Sequence, residues 1–463
     1  MKKICLTMSG LALAGTIAVT AIISSDVQAQ PQKKQTEHTS QSDGHSAKNV
    51  ILLIGDGMGA NQVSAAAYYN GKGFQAGKLE MDRFNNVGFA RTHSHDNIVT
   101  DSAAAATAFS ANKKTDNNVI GMAPKDDEHK EGEAFFDVET VLEEAAEQKK
   151  ATGLVSTARI THATPAAFAS HIDHRDKENE IASQMLIEHD IDVLLGGGKR
   201  HFVSKKDGGK REDGKNLIKE AKKKGYDVVE NEKALGNAEG KKLLGLFNNS
   251  HMTYELDRDL TKEPSLNEMT EKALDVMGNQ KEGFFLMVEG GRIDHAGHAN
   301  YPAANVHETL AFDEAVGTAL DFAENHKDTL VIVSADHETG GMSIGADGTY
   351  GFNRDTLKNM KRSSEYIASQ LNKKRSNIKA VMEKFAGIND LNESEMKLIQ
   401  NAEKADSAIA KVVSDRALIG WTTTGHTAVH VPVYAYGPQS ERLSGTIDNT
   451  EIAEVISDAM DAE

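Results

Sequence analysis

Six short apolar runs recur along the chain: Val50–Ile54, Thr152–Val155, Val193–Leu195, Phe284–Val288, Thr329–Val333 and Val431–Tyr436. They carry no polar alternation, they are too short for buried helices, and each is followed by a loop and a helix-like pattern. Such runs read as strands buried on both faces. Helical periodicity covers Ala134–Lys149, Leu266–Met277 and Asn305–Glu324. Strands alternating with helices predict an α/β fold, built as three layers (α/β/α) around a large, mostly parallel central sheet.

Two stretches break this rhythm. Residues 199–244 are crowded with Lys, Glu, Asp and Gly, and form a charged insertion in which Asn216–Lys224 reads as a helix closed by Gly225. Residues 350–418 lack strand signals and carry helix-like segments at Ser363–Leu371, Ile378–Phe385 and Glu393–Ala402. They read as a helical insertion that returns the chain to the last strand. The folded body is expected over residues 49–463. Ahead of it, residues 30–48 form a polar segment with the composition of a flexible tether.

Residues 1–29 read as a secretory signal peptide: Lys2 and Lys3, an uncharged apolar stretch from Ile4 to Ile23, and Val27-Gln-Ala29 before the cut. An uncleaved anchor is the alternative. Export to the outside of the cell or the wall is therefore expected, with no stable membrane anchor after cleavage. The one cysteine, Cys5, lies in this leader. The exported chain would hold no disulfide, thiol nucleophile or thiolate ligand, so any metal site must use His, Asp and Glu. The net charge is −17, which argues against nucleic acid and anionic membranes as partners. A small anionic substrate would have to be drawn in by local positive charge.

The acids and histidines fall where apolar runs end. Val50–Ile54 runs into Gly55-Asp-Gly-Met-Gly59, Phe285–Val288 into Glu289, and Val331–Val333 into Asp336-His337. In open α/β sheets ligands bind outside the carboxyl ends of strands, so these groups should gather on one rim. Gly55–Gly59 invites a dinucleotide-binding reading, but its spacing is GxGxG, and Asp56 would face the pyrophosphate. A metal suits that carboxylate better. Glu289-Gly-Gly-Arg-Ile-Asp-His-Ala-Gly-His298 offers Asp294 and His298 four residues apart on a glycine-rich loop, with His295 beside them. Oxygen and imidazole donors without sulfur are the set of catalytic zinc sites. His426 follows late in the chain. With Asp56, Asp336 and His337 there are donors enough for two ions, the arrangement that clamps a phosphoryl group.

Two other positions are more ambiguous on their own. Ser102 stands at the joint of Ile98-Val-Thr-Asp-Ser-Ala-Ala. There it caps a helix, or sits at the positive helix end where an anion would bind. Thr164 before Pro165 has the form of a helix cap, and Arg175 that of a surface arginine able to take a phosphate by two parallel hydrogen bonds.

Taken in order, Gly55-Asp-Gly-Met-Gly59, Thr100-Asp-Ser-Ala-Ala104, His162-Ala-Thr-Pro-Ala-Ala167, Val288–His295, Ser334-Ala-Asp-His337 and Thr424-Gly-His426 resemble the motifs of the alkaline phosphatase family. The resemblance implies an alkaline phosphatase-like catalytic domain with two Zn2+ and one Mg2+, usually a homodimer. It implies hydrolysis of phosphate monoesters through a phosphoserine on Ser102, with Arg175 holding phosphate oxygens. One zinc would sit on Asp294, His298 and His426, and the other on Asp56, Ser102, Asp336 and His337. Magnesium would sit on Asp56, Thr164 and Glu289. At His162 and His295 some members carry aspartate and lysine; both are taken as supporting residues behind the ligands. The alternatives are a metal-dependent phosphodiesterase or sulfatase on a related scaffold, and an extracellular phosphate- or metal-binding protein without turnover. Against a sulfatase, the usual modified cysteine is missing.

Overall fold

The computed structural model describes residues 46–125 and 134–461. The proposed signal peptide, most of the polar segment and its cleavage point lie outside the described residues. All six predicted strands form, at Asn49–Ile54, Ala151–Arg159, Val193–Gly197, Phe284–Glu289, Thr329–Ser334 and Val431–Tyr436. They join four more in a ten-stranded sheet. Across it the order is Gly445–Asp448, Asn86–Arg91, Val431–Tyr436, Thr329–Ser334, Asn49–Ile54, Phe284–Glu289, Ala151–Arg159, Val193–Gly197, Leu243–Leu246 and Asp227–Val229. Only Val431–Tyr436 runs antiparallel to its neighbours.

The central strands explain the apolar runs. Asn49–Ile54, Phe284–Glu289 and Thr329–Ser334 are buried at every position, because helices cover both faces. Leu266–Met277 and Pro302–Asn325 pack on each other, and Ala60–Asn70 joins them. Ser102–Ala111, Val141–Glu147 and Glu451–Asp461 form a separate packed group. Leu266–Met277 begins where Ser265 and Glu268 exchange hydrogen bonds in a capping box, and buries Leu266, Met269, Ala273, Leu274 and Met277 along one stripe.

Several expectations need correction. Ala134–Lys149 is not one helix: Phe135–Asp137 pairs antiparallel with Met122–Pro124, and the helix starts at Val141. The reason is local, since Thr140 and Glu143 make a capping box that fixes the start. The strands Asn86–Arg91, Leu243–Leu246 and Gly445–Asp448 were not foreseen. Asn86–Arg91 alternates in exposure, and Gly445–Asp448 is short, mostly exposed and at the sheet edge, so neither has a continuous apolar signature.

The charged stretch 199–244 supplies the edge strand of the same sheet, Asp227–Val229, and enters its neighbour Leu243–Leu246. Residues 350–418 hold five helices, Arg354–Lys358, Ser364–Ser369, Ile378–Ala386, Glu393–Asn401 and Ala405–Ala417. Leu357, Ile367, Ile378, Met382, Ile409 and Val413 build a second apolar cluster among them, apart from the core around the sheet. Among the described residues no helix is long and apolar enough to cross a membrane.

Candidate active site

Four parallel neighbours, Thr329–Ser334, Asn49–Ile54, Phe284–Glu289 and Ala151–Arg159, end almost level. Ile54 lies opposite both Ser334 and Glu289, and Glu289 opposite Ser156. That register delivers Asp56, Glu289 and Asp336-His337 to one rim, all fully buried. Gly57 makes the turn there with φ +74°; a Cβ on it would lie 2.8 Å from the Thr339 hydroxyl and 2.9 Å from the Asp294 Cα. Only glycine tolerates both the backbone and the approach.

Ser102 opens the helix Ser102–Ala111 and is buried. Asp101, not Ser102, is the cap: its Oδ1 accepts from the Ala104 N–H at 3.0 Å. The serine is thereby spared for other contacts, and its Oγ lies 3.2 Å from His337 Nε2. The other carboxylate oxygen of Asp101 accepts from Arg175 at 2.8 Å and from the Asn118 N–H at 3.0 Å. Arg175 is therefore no free surface arginine. Its other amino group donates to His162 Nε2 at 3.3 Å.

The donor groups fall into three clusters, each with its ligand atoms within 4.8 Å of one another: Asp294, His298 and His426; Asp56, Asp336 and His337; and Asp56, His162 and Glu289. In the first, Asp294 Oδ1 lies 3.3 Å from His298 Nε2 and 3.6 Å from His426 Nε2, and the two Nε2 atoms are 3.1 Å apart. In the second, His337 Nε2 lies 3.2 Å from Asp336 and 3.6 Å from Asp56. Donors bound tetrahedrally at about 2.0–2.1 Å stand roughly 3.3 Å apart, so both sets match the edges of a zinc tetrahedron.

The imidazoles are turned for this task. His298 Nδ1 donates to the Thr424 carbonyl at 2.6 Å and His426 Nδ1 to the Thr100 carbonyl at 2.8 Å. His337 Nδ1 donates to the Thr339 hydroxyl at 3.2 Å, and that hydroxyl donates in turn to Asp294 Oδ1 at 2.6 Å. With Nδ1 engaged in this way, each Nε2 is turned inward, where a neutral ring presents its lone pair. Lone pairs facing at 3.1 Å repel unless a cation or a proton lies between them.

Electrostatics point the same way. Both oxygens of Asp56, one each of Glu289 and Asp336, and the Thr164 hydroxyl are buried without a hydrogen-bond partner. Burial, and then the charges of Asp336, Asp294 and Glu289, hold the Asp56 carboxyl well above its usual range. Burial lifts Glu289 to about 7, against a short hydrogen bond from Ser156. Burial would also raise Asp336, but the neighbouring His337 charge brings it down to about 2. Burial lowers His426 to about 4, which keeps its ring neutral. Buried carboxylates without partners, next to imidazoles whose Nε2 atoms turn inward, fit divalent cations.

The structure thus brings together Ser102, Asp56, Glu289, Asp294, His298, Asp336, His337 and His426, with Arg175 and Thr164 beside them. Two local expectations change. Asp294 and His298 lie one turn apart on a helix, Arg292–His298, rather than on a loop. Thr164 is not a cap; His162 holds that position, and the Thr164 hydroxyl is left over near Glu289.

Residue by residue inspection of the sequence missed Thr339, which ties Asp294 to His337, Ser156 under Glu289, and Asp101 as the anchor of Arg175. It also missed His251, whose ring centroid is 4.0 Å from that of His295 and 5.5 Å from that of His162. None of these carries a spacing signal, although Thr339 lies in the same short stretch as two of the donors.

A covered parallel sheet with a carboxylate–imidazole rim and a helix-end serine is the construction of a metal-dependent hydrolase. The family model for alkaline phosphatase matches residues 47–462. Alkaline phosphatase 3 of Bacillus subtilis is 40% identical over 99% of this chain and 98% of its own. The crystal structure of a cold-active alkaline phosphatase from Shewanella superposes with a TM-score of 0.79 at 32% identity, covering 89% of this chain and 99% of that one. A variant of the alkaline phosphatase from the Antarctic bacterium TAB5, solved with magnesium bound in its M3 site, gives a TM-score of 0.66 at 31% identity, over 90% of this chain and 99% of that one. The chain belongs to the alkaline phosphatase family. It is a metal-dependent enzyme that hydrolyses phosphate monoesters.

Thr339→Val keeps the volume of the side chain but removes the hydroxyl shared by Asp294 and His337. We expect metal affinity to fall about tenfold to a hundredfold, measured as the free zinc needed to restore activity after chelation, with an unchanged fold by circular dichroism.

Proposed function

We propose that hydrolysis proceeds through a covalent phosphoserine on Ser102, at a centre of two Zn2+ and one Mg2+. One zinc would be held by Asp294, His298 and His426, the other by Asp56, Asp336 and His337 with Ser102. Asp56, Glu289 and Thr164 would hold magnesium. The observation that carries this reading is the partnerless Asp56 carboxylate, shared by two donor clusters on either side of it. When bound, paired divalent cations lower the pKa of hydroxyl and water oxygens and stabilise attacking and leaving oxygens. Magnesium is supported by the oxygen donors of the third cluster and by the relative with magnesium in its M3 site. His162 adds a nitrogen there, which softens selectivity for magnesium over zinc.

The chain's own groups do the rest. Arg175, held by Asp101, aims its guanidinium at the phosphoryl oxygens near the helix end of Ser102. Ser102 Oγ forms a bond to phosphorus as the bond to the substrate alcohol breaks, and the alcohol takes up a proton. Water then attacks phosphorus, the bond to Oγ breaks, and inorganic phosphate leaves. A cleft of about 730 Å3 opens beside His298, lined by Tyr301, Lys404, Asp406 and Trp421. Its mixed lining supports tolerance of varied leaving groups. The residue pattern of positions 1–29 supports export by a leader and action outside the cell.

A homodimer is proposed as well. Phe74 and Tyr350 are fully exposed, in segments that Arg354 ties together by donating to the Tyr68 and Gly73 carbonyls. Exposed aromatics grouped in this way mark a surface that a second copy would cover. Phe74→Asp with Tyr350→Asp should convert a dimer to a monomer in sedimentation; an unchanged mass for the pair of variants would remove this surface from the interface.

Acid quenching during turnover of a nitrophenyl monoester, followed by peptide mass spectrometry, should place phosphate on Ser102. Ser102→Ala should lose at least about a thousandfold in kcat. Full activity in Ser102→Ala would end the assignment.

A further inference from the structure

One more histidine–carboxylate cluster lies outside the rim just described. Glu143, His171 and His189 bring three donor atoms within 4.8 Å of one another. Glu143 Oε1 is 2.9 Å from His171 Nε2 and 3.5 Å from His189 Nδ1. These distances bracket the roughly 3.3 Å between donors bound tetrahedrally at about 2.0–2.1 Å. All three side chains are partly exposed, so an ion and a completing water can enter from solvent.

The cluster is built by its surroundings. The other oxygen of Glu143 is taken by the Thr140 N–H at 2.8 Å in the capping box, which leaves Oε1 to face the histidines. His171 Nδ1 donates to the Gly121 carbonyl at 2.6 Å, the same orientation that turns His298 and His426 toward their cluster. Gly121 has φ +60°, and a Cβ there would meet His171 Nδ1 at 2.9 Å and the Ser170 carbonyl at 2.1 Å. A glycine is required for that approach. Gln184 clamps the segment: its side chain accepts from the His171 N–H at 3.0 Å and donates to the His171 carbonyl at 3.2 Å. Its own carbonyl takes the His189 N–H at 2.9 Å, closing a π-helical turn.

We propose that Glu143, His171 and His189 form an additional Zn2+ site, separate from the catalytic centre, with water as the fourth ligand. Its binding replaces the proton on His171 Nε2, which is released to solvent, and ties the helix Val141–Glu147 to two loops. One of those loops runs through Ile172, bonded both ways to Ile120, to Arg175, whose N–H donates to the Asn118 carbonyl at 2.8 Å. The site therefore stiffens the segment that carries Arg175, without touching substrate.

The test is zinc per chain, measured by plasma mass spectrometry after dialysis of the metal-replete enzyme against buffered free zinc. Wild type should hold one more zinc than either Glu143→Gln or His189→Ala, with both variants keeping their monoesterase kcat. In wild type alone, zinc should protect His171 and His189 from diethyl pyrocarbonate, read by peptide mass spectrometry, which needs no variant to fold. Equal zinc in wild type and variants, or modification of both histidines undiminished by zinc, would overturn the proposal.

Discussion

The structure turns on a crowding of buried acids that the protein alone can relieve only by holding protons on them. Asp56, Glu289, Asp294 and Asp336 are all buried on one rim, and Asp56 has no hydrogen-bond donor for either oxygen. Removing a carboxylate from water without a partner is costly, and placing like charges around it adds to the cost. The His298 and His426 rings face each other nearby with their Nε2 atoms 3.1 Å apart. Cations resolve all of these conflicts together. The rim is thus a costly arrangement of side chains that divalent cations would stabilise.

A rigid frame is needed to hold such an arrangement. The parallel strands are buried on both faces and pair in a register that ends them level, and a slip of any one of them would carry its strand-end acid off the rim. From those ends the groups are aimed by short-range devices: Gly57 for the turn, Thr339 between Asp294 and His337, and backbone carbonyls behind His298 and His426. Asp101 links two candidate groups, since one oxygen caps the helix of Ser102 and the other fixes Arg175.

How much of this could be read in the residues differs by element. The central strands were legible because burial on both faces leaves an unbroken apolar run, as in Val50–Ile54. The helix Leu266–Met277 was legible because its stripe and its Ser265 cap agree. Asn86–Arg91 and Gly445–Asp448 were not, since edge positions keep polar residues and the pairing partners are far away in sequence. Of the candidate metal donors, Asp56, Glu289, Asp336 and His337 stood out because they follow strands directly. Thr339, Asp101 and Ser156 did not, because a hydroxyl or a capping carboxylate acquires its role only from what the fold places beside it. Thr164 has a residue type that suits a cap, but the helix starts two residues earlier than that role requires, capped at His162.

A carboxyl whose pKa is higher in the folded than in the unfolded chain holds a proton that unfolding releases, so it weakens the fold as pH rises above about 4. For Asp56 that penalty is largest in metal-free protein at neutral and alkaline pH. The most direct measurement is therefore the urea midpoint of chelated protein at pH 8, for wild type and Asp56→Asn. The repulsive rim predicts a higher midpoint for the inactive Asp56→Asn than for wild type, with the order reversed once zinc and magnesium are restored. A metal-free Asp56→Asn no more stable than metal-free wild type would contradict it.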